Sequence, residues 1–141
     1  MAVFLFKTEP GDFAFDDLPV KGEALWDGVT NAAALIHLRA CRAGDEVFIY
    51  HTGEEKAVVG EARIVTGPRE DPKKPGTTTR GEPKFAVVGL VRGAAFKTPV
   101  SLAAIKSDPA FASFSLVKIG RLSVMPVPAP LATRIRAMGR A

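Results

Sequence analysis

The chain has 141 residues, 47% hydrophobic and 24% charged, enough for one sizeable core and not for two, so one domain over residues 1–141 is expected. No apolar run approaches the length of a membrane helix. Lys7 and Glu9 interrupt the apolar start, so no signal peptide is expected, and the lone Cys41 excludes an intramolecular disulfide and a cysteine-rich zinc site. The net charge is +4 and unevenly placed: beyond Asp108 there is no carboxylate, while Lys118, Arg121, Arg134, Arg136 and Arg140 are all cationic. Such a segment attracts phosphate backbones, and a solvated basic helix has the same composition.

Val3-Phe4-Leu5-Phe6 is an apolar run of strand type that continues through Lys7 and Thr8. Pro10 stops it, having no N–H for a ladder, so a cation, a hydroxyl and a carboxylate gather at the strand's end. Asp12 to Leu18 can form a helical turn, with Asp16 and Asp17 suited to its N-terminal end. Asp27-Gly28 marks a turn and puts Trp26 on a loop. Ala34, Leu35, Leu38 and Cys41 form one apolar stripe on a helix from Thr30 to about Arg42. Thr30 or Asn31 can cap it, and Gly44 can close it.

Asp45 opens a second strand through Val47 to Tyr50. A third follows Glu54-Glu55, with Val58, Gly60, Ala62 and Ile64 on one face. Residues 66–83, rich in proline, glycine and threonine and carrying Lys73, Lys74 and Arg80, are expected to be a mobile functional loop or locally disordered. Phe85 to Val91 reads as a central strand. Ser101 to Lys106 is a short helix with Ser101 as its cap and Pro109 beyond its end. Arg121 to Met125 is a fifth strand, and Pro130 to Met138 a closing helix with Pro130 in its first turn. Five short strands with helices between them give a small mixed barrel of the α+β class.

The sole tryptophan, Trp26, is either a core aromatic or, on its loop, a platform for a flat ring. His51 follows Tyr50 at a strand end, where a histidine is commonly satisfied by local hydrogen bonds. His37 lies on a helix without metal-ligand spacing, and Cys41 fits a buried small hydrophobe. Asp16, Asp17, Glu54 and Glu55 sit in turn contexts that suit solvated carboxylates. There is no activated nucleophile, metal cluster or glycine-rich phosphate loop, so no catalytic residue, metal or cofactor is expected.

Lys7-Thr8-Glu9-Pro10, Trp26-Asp27-Gly28-Val29-x-Asn31, Gly44-Asp45, Tyr50-His51-Thr52, Val59-Gly60 and Arg121-Leu122-Ser123-Val124 occur in an order that resembles EVE-domain proteins from about Phe4 to Met138. That family belongs to the PUA-like superfamily and is related to YTH domains, which read methylated adenine in RNA. The resemblance implies a PUA-like β-pseudobarrel of about five to six strands with peripheral helices and a pocket for a modified nucleobase. Lys7, Thr8, Glu9 and Pro10 would line one wall, and Trp26, Asp27, Gly28, Val29 and Asn31 another. Tyr50, His51 and Thr52 would form a third, with Arg121, Leu122 and Ser123 near the mouth. An extruded base needs an aromatic face and a few fixed polar groups for its edge.

The chain departs from the family pattern at Val3-Phe4 (an aromatic pair with tryptophan is common), Phe13-Ala14-Phe15 (for Trp-x-Trp), Thr30 (for arginine) and Gly120 (for serine). The function so implied is a cytoplasmic, monomeric module that reads a modified base in DNA or RNA without catalysis. The alternative is a small enzyme or metabolite binder acting on a free nucleobase-like ligand through Glu9 and His51. The Thr66–Pro83 loop would close over a bound strand, and the tail arginines would supply affinity through phosphates.

Overall fold

The computed structural model describes residues 1–141. Its elements are β1 (Val3–Thr8), β2 (Ala24–Trp26), α1 (Ala32–Ala40), β3 (Glu46–His51), β4 (Ala57–Glu70), β5 (Ala86–Ser101), α2 (Leu102–Ser107), α3 (Ser115–Lys118), β6 (Val124–Pro126) and α4 (Ala129–Arg140). Single 3-10 turns occupy Phe15–Asp17 and Pro109–Phe111. The strands form one sheet in the order β2-β5-β4-β3-β1-β6. It is a curled half-barrel with four α-helices around it, an α+β fold of PUA-like type. No helix is long and apolar enough to cross a membrane.

Only β1 and β3 pair in parallel, which requires a crossover; β2 and α1 lie within it. The register aligns Val3 with Glu46 and Thr8 with His51, so both strands end together. β4 and β5 are antiparallel, and their pairing shifts register between Val58 and Gly60, Gly60 and Ala62, Ile64 and Thr66, and Thr66 and Arg69. Each irregularity bends its strand and adds twist, which curls the sheet. Glycine is required at position 60: a Cβ on Gly60 would meet the Phe15 ring at 2.5 Å. Phe6, Phe48, Leu38, Ile64, Met125 and Ile135 fill the interior.

Several boundaries differ from those the sequence suggests. β2 is an additional strand, and Trp26 ends it rather than sitting on a loop. β4 runs on to Glu70 and β5 to Ser101. Asn31, not Thr30, caps α1, its Oδ1 accepting from the Ala34 N–H at 3.0 Å. The helix ends at Cys41, and Gly44 (φ +94°) instead turns the chain into β3, its N–H donating to the Ile64 carbonyl. β6 begins at Val124, leaving Arg121 and Leu122 in the preceding turn.

The segment expected to be mobile carries fixed structure. Its first residues belong to β4, the Asp71 N–H donates to the Phe85 carbonyl, and bridges join Asp71 to Lys74 and Thr77 to Pro83. Arg39 on α1 donates to the carbonyls of Pro83 at 2.7 Å and Lys84 at 2.9 Å, tying the loop down. One of its lysines takes part: Lys74, with Lys84 just beyond the segment, flanks the Phe85 ring, at 5.4 and 5.6 Å.

Candidate functional site

The common end of β1 and β3 sets the site. Lys7 N–H donates to the Ser123 carbonyl at 2.9 Å, which brings the turn before β6 alongside. β2 arrives from the opposite edge of the sheet and delivers Trp26. Between these edges lies a cavity of about 370 Å³. Thr8, Glu9, Phe13, Trp26 and the turn through Asn31 line it, together with Lys7 and Ser123. Gly28, at φ +77°, makes the turn that follows the indole.

Trp26 is both wall and core. It is only 8% exposed, 5.4 Å from Phe6 in a tilted arrangement and 5.8 Å from Phe13 edge to face. Phe13 thus props the indole at the cavity, while Phe15 turns inward under Gly60. The polar groups are partly committed. The Thr8 hydroxyl donates to the Phe13 carbonyl at 2.6 Å, keeping its lone pairs free. Asn31 uses its oxygen as a helix cap and keeps its NH₂. Glu9 Oε2 accepts from the Thr52 hydroxyl at 3.1 Å and Oε1 from the Gly11 N–H at 3.3 Å. Gly53, at φ +77°, lets its turn approach Glu9, since a Cβ there would stand 3.0 Å from Oε2.

Three carboxylates line the cavity, Glu9, Asp12 and Asp27, against one ammonium, Lys7. Lys7 Nζ donates to the Gly120 carbonyl at 2.9 Å and stands 5.7 Å from the Tyr50 ring centre. Its partial burial holds the ammonium below its ordinary pKa. Tyr50, partly desolvated, is raised above its own.

Of the residues singled out in the sequence, Lys7, Thr8, Glu9, Trp26, Asp27, Gly28, Val29, Asn31 and Ser123 are brought together here. Tyr50, His51 and Thr52 do not form a third wall. Tyr50 and Thr52 line a separate cleft beyond Lys7. His51 is buried, its Nε2 accepting from the Phe15 N–H at 3.0 Å and its Nδ1 bonded to Glu55 Oε1 at 2.7 Å. It fixes the 3-10 turn and has no free ring nitrogen. Pro10, Arg121 and Leu122 also lie off the wall; Arg121 is exposed and Leu122 buried in the core. Asp12 and Leu25 are wall residues that the sequence did not mark, and Phe13 and Thr30, which stand where the family pattern has tryptophan and arginine, line it as well. The Phe13-Ala14-Phe15 alternation is the one available signal, since Leu25 depends on the unforeseen β2.

The tail cations are elsewhere. Arg136 pairs with Glu46 and, at 3.4 Å, with Glu61; Arg140 grips Glu61 through two bonds of 2.9 and 3.0 Å; Arg134 meets Asp108 at 2.5 Å.

Comparison with known proteins agrees with this architecture. The EVE domain family model matches residues 2–138. Human thymocyte nuclear protein 1 is 29% identical over 128 residues, covering 74% of this chain and 55% of that protein, so the match spans about half of the relative's length. Rpa0253 from Rhodopseudomonas palustris, solved by NMR, is 38% identical with a TM-score of 0.86, covering 99% of this chain and 93% of that one. Human THYN1, solved in complex with 5-methylcytosine-containing DNA, superposes with a TM-score of 0.85 at 24% identity, covering 100% of this chain and 99% of that one. With a family match spanning nearly every residue, this chain belongs to the EVE domain family.

Proposed function

We propose that this chain is a non-catalytic nucleic-acid-binding module that takes a modified base of DNA or RNA into the cavity beside Trp26. The observation that carries this reading is the composition of the wall: the Trp26 and Phe13 rings together with short polar groups, lining about 370 Å³. A cavity of that size suits a small ring system. The complex of human THYN1 with 5-methylcytosine-containing DNA supports the same ligand class. Catalysis through Glu9 and His51 has less support, because both ring nitrogens of His51 are occupied within the fold.

The wall favours one kind of base edge. Three carboxylates accept hydrogen bonds and cannot donate when ionised, and only Lys7 opposes them in charge. A base that presents an exocyclic amino group, as cytosine and adenine do, meets its complement; a carbonyl in the same place meets like charge. 5-Methyl-2′-deoxycytidine and thymidine isolate this difference, sharing the methyl group and differing at the base edge. Titration of Trp26 fluorescence is expected to show the cytosine nucleoside bound tighter by about 1–3 kcal/mol, with Asp27→Asn narrowing the gap. Equal affinity for the two nucleosides would sink the amino-base preference, and binding of neither, alone or in DNA, would sink the reader function.

A further inference from the structure

We propose that the cleft between Lys7, Lys56 and Lys106 is a phosphate site for the strand whose base enters the neighbouring cavity. This assignment rests on the nucleic-acid reading. The cleft holds about 230 Å³ and shares Lys7 with the base cavity. The two cavities therefore adjoin at Lys7.

The two sites have opposite electrostatics. The base cavity has three carboxylates, whereas the cleft has three lysines and no carboxylate on its wall. A phosphate is repelled by the first and drawn to the second. These lysines are also uncommitted: every ion pair in the molecule is made by an arginine or by His51. Lys7 gives one donor to the Gly120 carbonyl, which anchors it on the boundary and leaves the others free. Tyr50 is on the same wall, and Thr52, also there, gives its hydroxyl proton to Glu9.

Lys56 supplies an independent observation. It is the only non-glycine residue with positive φ, at 46°. The Leu102 N–H donates to its carbonyl at 2.8 Å and holds that backbone between the β3–β4 turn and α2. Glycine would adopt this conformation without strain, and the same turn uses glycine at Gly53. A lysine in a strained position, lining a cleft with two other cations, fits a binding role. Burial also holds the Lys7 ammonium below its ordinary pKa, so an anion in the cleft relieves a penalty already present.

The test compares the unsubstituted protein with Lys56→Gln/Lys106→Gln, using single-stranded DNA with and without one 5-methylcytosine, and free 5-methyl-2′-deoxycytidine. The double variant is expected to lose about 1.4 from the magnitude of the salt slope for both DNAs, a sevenfold smaller change in affinity between 50 and 200 mM salt. Nucleoside affinity is expected to stay the same. Lys56→Gly is expected to lose about half of that slope while melting no lower than the unsubstituted protein. An unchanged slope in the double variant overturns the phosphate site. A reduced slope in a protein that binds no modified nucleoside and prefers no modified DNA supports the phosphate site and removes the base-reading function instead. Absence of any DNA binding by the unsubstituted protein removes both.

Discussion

Trp26 carries two roles that the sequence presents as alternatives. Its ring packs on Phe6 and Phe13, and 8% of its surface remains open. Considered as a core residue, its loss leaves a cavity, and Trp26→Ala is expected to destabilise the fold by about 3–5 kcal/mol. Considered as a platform, the same change removes about 1–3 kcal/mol of base stacking. The two effects separate if binding is measured well below the variant's lowered melting temperature, with circular dichroism verifying the fold. A folded Trp26→Ala protein that binds nucleosides as tightly as the original would confine the indole to the core. His51 resolves the other way: its motif position resembles a ligand group, yet both ring nitrogens serve the fold. A single sequence places a polar residue at a strand end without stating which way it turns.

Elements with strong periodicity were legible, and those built by register were not. β1, β3, α1, α2 and α4 follow apolar runs, caps and proline positions that local sequence declares. β2 is three residues long and exists because Ala24, Leu25 and Trp26 pair with β5. The far half of β5 is largely exposed and includes Pro99, so its alternation carries no hydrophobic signal. The loop after β4 looked unable to hold structure on composition, but Arg39, some 45 residues earlier, supplies two hydrogen bonds to it. α1 ends on a group with a measurable signature. Burial, reinforced by Asp45 nearby, pushes the Cys41 thiol from 9.0 up to about 12. The folded state thus keeps its proton after the unfolded state has lost it. That contribution is complete below about pH 9, and stability falls by up to about 1.4 kcal/mol per pH unit as pH rises towards 12. The urea midpoint of the original is expected to fall towards that of Cys41→Ala progressively above pH 9, the alanine variant losing less. Tyr50 and Lys7 titrate in both proteins and cancel in the comparison. Parallel midpoints across that range would show that the thiol ionises alike in both states.

At the scale of the molecule, the sheet separates its charges between two ends. The acid-free tail has the composition of a phosphate-binding or a solvated basic helix, but three of its cations are paired with carboxylates from outside it. Asp108 precedes the tail, while Glu46 and Glu61 come from β3 and β4, and together they engage Arg134, Arg136 and Arg140. Glu46 lies opposite Val3, at the start of the parallel pair, whereas the cavity opens at Thr8, five residues along. At about 3.3 Å per residue, roughly 17 Å of strand separates them. α4 is therefore an internal clamp: Arg136 also stacks over Phe48 at 5.5 Å, and Gly139 is small because a Cβ would meet the Phe96 ring at 2.2 Å. Arg136→Gln leaves Glu61, whose side chain is 12% exposed, with only Arg140. The expected cost is about 1–3 kcal/mol of stability, read as a lowered urea midpoint. DNA affinity and its salt slope, measured on the folded variant, are expected to match the original. A slope smaller by about 0.7, the value for one lost contact to a single strand, would place α4 on the nucleic acid and make Glu46 and Glu61 competitors for it rather than permanent partners.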